Sequence, residues 1–423
     1  MTIPGGARRA SAPVLMMAGI MLVAANLRPV LTAVGPLLDQ IGADTGLGEA
    51  ALGFLAAVPL LAFGAFSPLA HGISGRFGVE RTVFVSLLVL AAGTLLRPAP
   101  GSPANLWAGT VIIGAAIAVC NVLLPAILKR DFPTRMASLT GLYSAVLGGI
   151  ASLGAGLAVP LSRLPVGDGA PGGWRFALAA YVVLTVPALL LWLPQVRRRR
   201  AGSQPGKPGP QAAARVAKDA SPPRGAVWKS GVAWQVTLYM GLQSMSFYIL
   251  ITWLPTLERS YGRGHVESGW DLMLFQLIGV VSSLLTPQLL RGRQQRFAAT
   301  LPPFLVAAGV AGLMLAPGGM LLWVLLAGFG GGSSLVTALA LFGLRTMNHR
   351  EASALSGMAQ SVGYLLAAAG PPLFGALYGR TGTWWLPLLL LVAVAVAQMA
   401  TGLAVGRDRF AFKAGNRPGR AGG

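Results

Sequence analysis

Residues 196–229 read VRRRRAGSQPGKPGPQAAARVAKDASPPRGAVWK, and this basic stretch separates two long apolar parts of the chain. It lacks the apolar periodicity of a packed helix and is rich in Pro, Gly, Ala and basic residues. We therefore interpret it as a disordered linker on the cytoplasmic side of a membrane. A solvated segment beside anionic lipid accounts for the arginine run 197–200, and specific regulation by a lipid or a protein is the alternative.

Apolar runs long enough to cross a bilayer lie on both sides of this linker. Of the 423 residues, 54% are hydrophobic and 11% are charged, whereas soluble domains carry about 25% charged residues. A spanning helix needs roughly 20 apolar residues. The runs lie near residues 14–38, 50–70, 82–96, 104–128, 136–161, 174–194, 230–256, 269–290, 297–316, 320–345, 353–378 and 384–405. We expect an all-α integral membrane protein of twelve transmembrane helices in two six-helix halves.

The distribution of positive charge fixes the expected orientation. With both termini in the cytoplasm, 26 of the 33 Lys and Arg residues fall in inner segments and six in outer loops, at Arg97, Arg163, Arg175, Arg259, Arg263 and Arg380. This bias follows the positive-inside rule. We predict a multi-pass protein of the cytoplasmic (inner) cell membrane, with an N-terminal half at 1–195, the linker at 196–229, a C-terminal half at 230–406 and a cytoplasmic tail at 407–423.

Several functions are excluded by what the sequence lacks. One cysteine, Cys120, and three scattered histidines argue against disulfides, metal sites and a metal cofactor. A nucleotide-binding Gly-Lys-Ser/Thr loop and a catalytic constellation are missing, so we expect no enzyme and no cofactor. The net charge of +21 lies mainly in inner segments and tails, so we expect no nucleic-acid partner. The expected partners are the lipid bilayer and a small-molecule substrate, and we expect a monomer.

Arg28 is the strongest single indication of function. It lies about midway along the first apolar run, where a charged side chain costs at least about 2.5–3.5 kcal/mol. It should therefore face a wet cavity or a partner, and Pro29 beside it frees a backbone carbonyl and permits local unwinding. The planar fork of a guanidinium suits carboxylate-like or linear anions. The alternative is that Arg28 only holds helix ends together.

Uncharged polar and aromatic side chains at membrane depth complete the predicted pocket. They converge from several helices, as in a small-ligand site, although ordinary hydrogen bonding between helices is the alternative for each. The predicted substrate-binding residues are Arg28, Asn26, Thr32, Asn121, Tyr143, Gln243, Phe247, Tyr248, Gln276, Gln360 and Tyr364. Asp and Glu fall only at helix ends, so coupling through an embedded acid is unsupported. An end-of-helix carboxylate such as Asp39 or Asp131 remains an alternative for a coupling proton.

Five separated motifs resemble one family. They read NLRPVLTAVGPLL at 26–38, NVLLPAILKRDFP at 121–133, GGWR at 172–175, AWQVTLYMGLQSMSFY at 233–248 and SGMAQSVGY at 356–364. Together they resemble the cyanate transporter / 2-nitroimidazole transporter family within the major facilitator superfamily. The resemblance implies a twelve-helix fold and transport of a small polar solute, either a small anion such as cyanate or a small nitroheterocycle.

One loop departs from the superfamily pattern and concerns the predicted gate. The wider superfamily has an Asp before its Arg-x-Gly between the second and third helices, whereas this chain has Gly75 before Arg76. We hypothesise that Glu80 forms a substitute ion pair with Arg76 or Arg81. The predicted gating residues are Arg76, Glu80, Arg81, Lys129, Arg130 and Asp131.

The sequence favours a secondary active or facilitative transporter that works by alternating access, with an anion held at Arg28 near the midplane. The alternative is an efflux carrier for small heteroaromatic or hydrophobic drugs such as nitroimidazoles, in which Arg28 is structural.

Overall fold

The computed structural model describes residues 7–167, 169–198, 226–291, 295–347 and 349–412. Most of the predicted linker and the end of the predicted tail lie outside these ranges. So does the side chain of Lys129, one of the predicted gating residues.

The first part of the chain forms helices separated by short turns. Their bounds are α1 Ala7–Leu27, α2 Pro29–Thr32, α3 Val34–Thr45, α4 Glu49–Phe66, α5 Leu69–Phe77, α6 Val79–Leu96, α7 Pro103–Asp131, α8 Met136–Ser162, α9 Gly173–Ala180 and α10 Thr185–Arg198. The strands β1 Pro165–Val166 and β2 Ala170–Pro171 form a small antiparallel hairpin between α8 and α9.

The part after the linker is also helical. Its bounds are α11 Gly231–Ser260, α12 His265–Leu289, α13 Arg296–Leu315, α14 Met320–Leu344, α15 His349–Ala368, α16 Gly370–Thr381 and α17 Trp385–Val405. The apolar runs predicted from the sequence therefore all coincide with helices, and their ends agree within a few residues except in the first run. There the helical stretch α1 to α3 extends seven residues beyond the predicted 14–38 at each end.

Proline accounts for the break in the first long helix. Pro29 carries no backbone N–H, so it interrupts the hydrogen-bond ladder at Arg28 and starts the one-turn helix α2. The carbonyl oxygen of Arg28 accepts from the backbone N–H of Leu31 at 2.9 Å and of Thr32 at 3.1 Å. The side chain of Arg28 therefore leaves the backbone at a step between helices, where it points into the bundle.

Eleven helical segments of the described chain are long and apolar enough to cross a membrane. The predicted seventh span is not among them, although α11 has 30 residues. Its polar side chains, including Gln243, Ser244 and Ser246, lower its hydropathy, and all three are buried. Its polarity thus comes from residues that face the protein.

The two parts of the chain are in backbone contact at one end of the bundle. We call this the far end, because α1 begins and α17 finishes at the opposite, near end. A Cβ atom on Gly35 of α3 would overlap the carbonyl oxygen of Ile251 of α11. A Cβ atom on Gly53 of α4 would likewise overlap the carbonyl oxygen of Pro371 of α16. Glycine is therefore required for the backbones to pack at this end.

Candidate functional site

Arg28 lies at the break between α1 and α2, half-buried and facing the second part of the chain. Its Nη1 donates a hydrogen bond of 3.4 Å to the hydroxyl of Tyr248 on α11. At this length the bond is weak. Among the described residues, no carboxylate pairs with Arg28, so its charge has no protein counter-ion there.

Three tyrosines surround the guanidinium of Arg28. Tyr143 of α8, Tyr248 of α11 and Tyr364 of α15 all lie within electrostatic range of it. Tyr143 and Tyr248 are 7% and 6% exposed, so both side chains are largely shielded from solvent, and Tyr248 accepts the hydrogen bond from Arg28. The structure therefore brings four of the predicted residues together, from both parts of the chain. A cation framed by hydroxyls can bind an anion through several donors at once.

Aromatic rings form one wall of this Arg28 site. Phe247 packs edge-on against Tyr248 with ring centroids 5.4 Å apart, and it stacks with Phe275 at 6.3 Å. On the other side, Tyr364 meets Phe63 edge-on at 5.8 Å. The rings place apolar surface beside the charge, which strengthens any electrostatic contact with a bound ligand.

Two predicted substrate residues have their polar atoms engaged elsewhere. Asn26 donates to the carbonyl oxygens of Leu22 at 2.7 Å and Leu184 at 2.9 Å, and its Oδ1 accepts from Thr185 at 3.0 Å. Thr32 donates to the carbonyl oxygen of Ala151 at 2.7 Å. Both side chains tie the first long helix to its neighbours, so we do not carry them into the proposed site.

The remaining side-chain amides that the sequence predicts to bind substrate differ in their hydrogen-bond partners. Gln243 donates to the hydroxyl of Ser244 at 2.6 Å, and Gln360 donates to the hydroxyl of Ser356 at 2.7 Å. Gln276 is 7% exposed, and its Nε2 finds no acceptor within the described chain. Asn121 is half-buried on α7. Gln276 therefore offers an unused buried donor, whereas Gln243 and Gln360 already have local partners.

A narrow cavity lies on the far-end side of the Arg28 site. Tyr248 belongs to both, since it is one of the residues that line the cavity and its hydroxyl accepts from Arg28. The cavity has a free volume of ≈ 20 Å³, enough for about one water molecule. Its walls are Leu31, Val34, Gly35, Ile41, Leu55, Ala56, Pro59, Arg97, Leu106, Thr110, Leu178, Tyr248, Ile251 and Thr252.

The side chain of Arg97 points in a direction that the sequence does not predict. The charge count places Arg97 in an outer loop, and its side chain is only 1% exposed. Arg97 follows the last residue of α6, and its Nη1 donates to the carbonyl oxygen of Val30 at 2.8 Å. The sequence could not show that the side chain turns back into the bundle, because position at a helix end does not fix its direction.

The predicted gating residues form a different ion pair from the one hypothesised. Glu80 accepts from Arg130 at 2.7 Å, and Arg130 also contacts Asp131 at 2.7 Å. These bonds, with Asp131 first, raise the pKa of Arg130 above its ordinary value although burial opposes the shift. Arg76 lies over the ring of Phe77, and Arg81 is exposed. Arg130, supplied by α7, is thus an ion-pair partner of Glu80.

An ion pair joins the two parts of the chain at the far end. Arg259 of α11 donates from Nε to Asp39 of α3 at 2.6 Å, and Thr256 donates to the same carboxylate at 3.1 Å. Glu258, one residue away, is fully buried, and neither of its carboxylate oxygens has a hydrogen-bond partner in the described chain. Sequence analysis missed this difference among helix-end acids, because it depends on how α11 packs.

Comparison with known proteins agrees with this architecture. A family model described as Major Facilitator Superfamily matches residues 16–371. The 2-nitroimidazole transporter of Escherichia coli (strain K12) is 40% identical over 94% of this chain and 96% of its own length. The cyanate transport protein CynX of the same organism is 27% identical over 87% of this chain and 91% of its own length.

A solved structure shows the same fold at low sequence identity. The inward-facing, unoccupied bacterial homologue of the human lysosomal transporter Spinster superposes with a TM-score of 0.74. It is 13% identical, and the match covers 94% of this chain and 98% of that chain.

Proposed function

Because this chain belongs to the Major Facilitator Superfamily, we propose that it carries a small anion, such as cyanate, across the membrane by alternating access at Arg28. The chain is a transporter rather than an enzyme, as its family and relatives are. The prediction of a transporter from the sequence is thus confirmed. We propose in addition the class of substrate and the residues that bind it.

One observation carries the choice of an anion. Arg28 is a cation within the bundle, and the described chain provides hydroxyl groups around it but no carboxylate partner. A buried charge without a partner is costly. A bound anion would supply the missing charge and accept hydrogen bonds from the guanidinium and from tyrosine hydroxyls. Phe247 would provide an apolar wall, and Gln276 an additional donor.

The names of the relatives support this substrate class. Cyanate is a small linear anion at neutral pH. An unsubstituted 2-nitroimidazole can lose its ring N–H proton and become a planar anion with oxygen and nitrogen acceptors. A single cationic site lined by aromatic rings would therefore suit both cargoes.

Membrane topology is part of the proposal. We propose that α11 crosses the membrane in addition to the eleven apolar segments, which gives twelve spans in two six-helix halves. Its 30 residues correspond to about 45 Å of helix, more than the roughly 30 Å of a hydrocarbon core. The positive-inside distribution then supports cytoplasmic termini and placement in the inner membrane. We propose a monomer as the transporting unit.

The alternative function is efflux of a neutral heteroaromatic compound. The aromatic wall formed by Phe247, Phe275 and Tyr248 favours it, because flat rings stack well on such surfaces. In that case Arg28 would hold helices together, and transport would not respond to membrane potential.

Uptake into proteoliposomes distinguishes the two functions. Labelled cyanate and 1-methyl-2-nitroimidazole, which has no ring N–H to lose, are compared under an imposed potential of either sign. We expect cyanate uptake that is faster with a positive interior and exceeds uptake by protein-free vesicles. Transport of the neutral compound alone, at a rate independent of potential, would overturn the anion proposal in favour of the alternative.

A further inference from the structure

Arg97 is a second buried cation, and the helices hold it close to the Arg28 site. Its side chain is 1% exposed, and within the described chain one of its three nitrogens, Nη1, has a partner, the carbonyl oxygen of Val30. Its Nε and Nη2 are buried without an acceptor in the described chain. This differs from Arg345, another buried arginine, whose donors reach the carbonyl oxygens of Val405 and Leu344 and the side chain of Gln295.

Among the described residues, Arg97 has no acidic counter-ion. The titratable side chain in electrostatic range within the described chain is Tyr181, whose hydroxyl donates to the carbonyl oxygen of Gly154 at 2.6 Å. A guanidinium stays protonated at neutral pH and cannot relieve its burial by becoming neutral. The two unused donors therefore need an acceptor from outside the protein chain.

The narrow cavity beside Arg97 provides space for such an acceptor. Arg97 lines it together with Thr110, Thr252 and Tyr248, and no carboxylate is among its lining residues. The threonine hydroxyls donate to backbone carbonyls at 2.7 Å, so their hydrogens are already used. Tyr248 accepts from Arg28, which leaves its own O–H free to donate. The donors available to a ligand are thus Arg97 and Tyr248.

We propose that Arg97 forms a second anion-binding position, between the Arg28 site and the far end of the bundle. The inference rests on the proposed function and adds a step to it: an anion held by Arg97 passes Tyr248 to reach Arg28. The free volume of ≈ 20 Å³ admits an anion of only a few atoms. A nitroimidazole ring requires the cavity to widen, so this position favours linear or very small anions.

Transport kinetics test the role of Arg97 directly. In proteoliposomes, we expect Arg97→Gln to raise the KM for cyanate about tenfold, because a charge-assisted hydrogen bond is lost. Vmax should change much less, and Arg97→Lys should recover part of the affinity. Arg163→Gln is the matched control, since Arg163 also follows the last turn of a helix at the far end but is exposed. Arg163→Gln should leave KM unchanged.

Thermal stability in detergent gives a readout that does not require transport. Sodium cyanate should raise the Tm of the wild type, and part of this shift should survive in Arg28→Gln and disappear in the double variant with Arg97→Gln. Stabilisation that remains without transport would contradict the proposed function while supporting the Arg97 position. Two results would overturn the inference and leave Arg97 as a capping residue for Val30. One is an unchanged KM in Arg97→Gln, and the other is a cyanate-dependent rise in the Tm of Arg97→Gln equal to that of the wild type.

Discussion

The buried charges of this protein differ in how completely the chain satisfies them. Arg345 makes hydrogen bonds from all three nitrogens, and it therefore acts as a structural cap. Arg28 and Arg97 each keep unused hydrogen-bonding capacity beside a shared tyrosine, Tyr248. Because an unsatisfied buried cation is costly, the two incomplete arginines mark the path that an anion can use.

Tyr248→Phe tests the shared contact between the two arginines. The hydroxyl is lost but the ring stays against Phe247, so the aromatic wall is preserved. We expect cyanate affinity to fall about three- to tenfold, as for loss of one hydrogen bond. The KM for cyanate in proteoliposomes measures this. Tyr261→Phe, at an exposed position at the far end of α11, is the control and should behave as the wild type. An unchanged KM in Tyr248→Phe would argue against a ligand at this hydroxyl.

Replacement of Glu258 and of Asp271 by the corresponding amide should have different effects on thermal stability. Glu258 is buried with no hydrogen-bond partner in the described chain, whereas Asp271 accepts from Nε of Arg263 at 3.0 Å and from its Nη2 at 2.5 Å. Glu258→Gln should leave the Tm unchanged or raise it, because burial without donors disfavours the ionised carboxylate and the substitution removes no hydrogen bond found in the described chain. Asp271→Asn should lower the free energy of unfolding by about 1 kcal/mol. Thermal unfolding in detergent compares them, and a lower Tm for Glu258→Gln would contradict the account.

At the residue scale, a candidate binding residue can be predicted from sequence when its position deep inside an apolar run is sufficient evidence. Arg28 and the three tyrosines could be found because a polar group far inside an apolar run needs a partner. Asn26 and Thr32 lie in the same stretch but point to neighbouring helices. Their direction depends on how the helix rotates at the break, which the sequence pattern does not determine.

At the scale of the helix, glycine positions control how tightly the far end closes. Gly53 of α4 and Gly35 of α3 contact backbone of the second part of the chain, as described above. The helices themselves were predictable from apolar runs and proline breaks. The exact contacts between them depend on packing across the two parts of the chain, which no local pattern contains.

Gly53→Ala should hinder closure of the far end. The added methyl group would overlap the carbonyl oxygen of Pro371, so α4 and α16 must separate. We expect transport to slow about tenfold or more, because one state of the cycle is destabilised by about 1–3 kcal/mol. Gly149→Ala is the matched control, since a Cβ atom there meets nothing within 4 Å.

Chemical labelling reports the same closure. In a background without Cys120, the sole cysteine of the chain, a cysteine replaces Ala56, which lines the narrow cavity. A membrane-impermeant maleimide added from outside should label Ala56→Cys faster when Gly53→Ala is present. Equal labelling and equal transport rates would show that this glycine contact does not limit closure.

The buried polar side chains of α11 lower the hydropathy by which a membrane span is recognised. Its buried polar side chains keep it outside the apolar helices of the described chain, although the helix is 30 residues long. The same helix supplies Tyr248 to the Arg28 site and Arg259 to the far-end ion pair. The helix that we propose as the twelfth span therefore falls outside the hydropathy criterion because its buried side chains are polar.

For the whole molecule, the far end combines a charged contact and close backbone contacts between the two parts of the chain. Asp39 and Arg259 form an ion pair across it, close to the glycine contacts of α3 and α4. The Arg28 site and the narrow cavity lie between these contacts and the near end. This arrangement fits alternating access, in which opening the far end separates Asp39 from Arg259 and exposes Arg97 before Arg28.

Counterflow of cyanate through reconstituted Arg28 variants tests the central claim most directly, because exchange requires a binding site but no driving force. Wild-type proteoliposomes loaded with unlabelled cyanate should take up labelled cyanate transiently. Arg28→Gln should lower the exchange rate about a hundredfold, and Arg28→Lys should retain a measurable part because it keeps the charge but loses the fork geometry. Wild-type exchange rates in a correctly folded Arg28→Gln protein would contradict the assignment of Arg28 as the anion site.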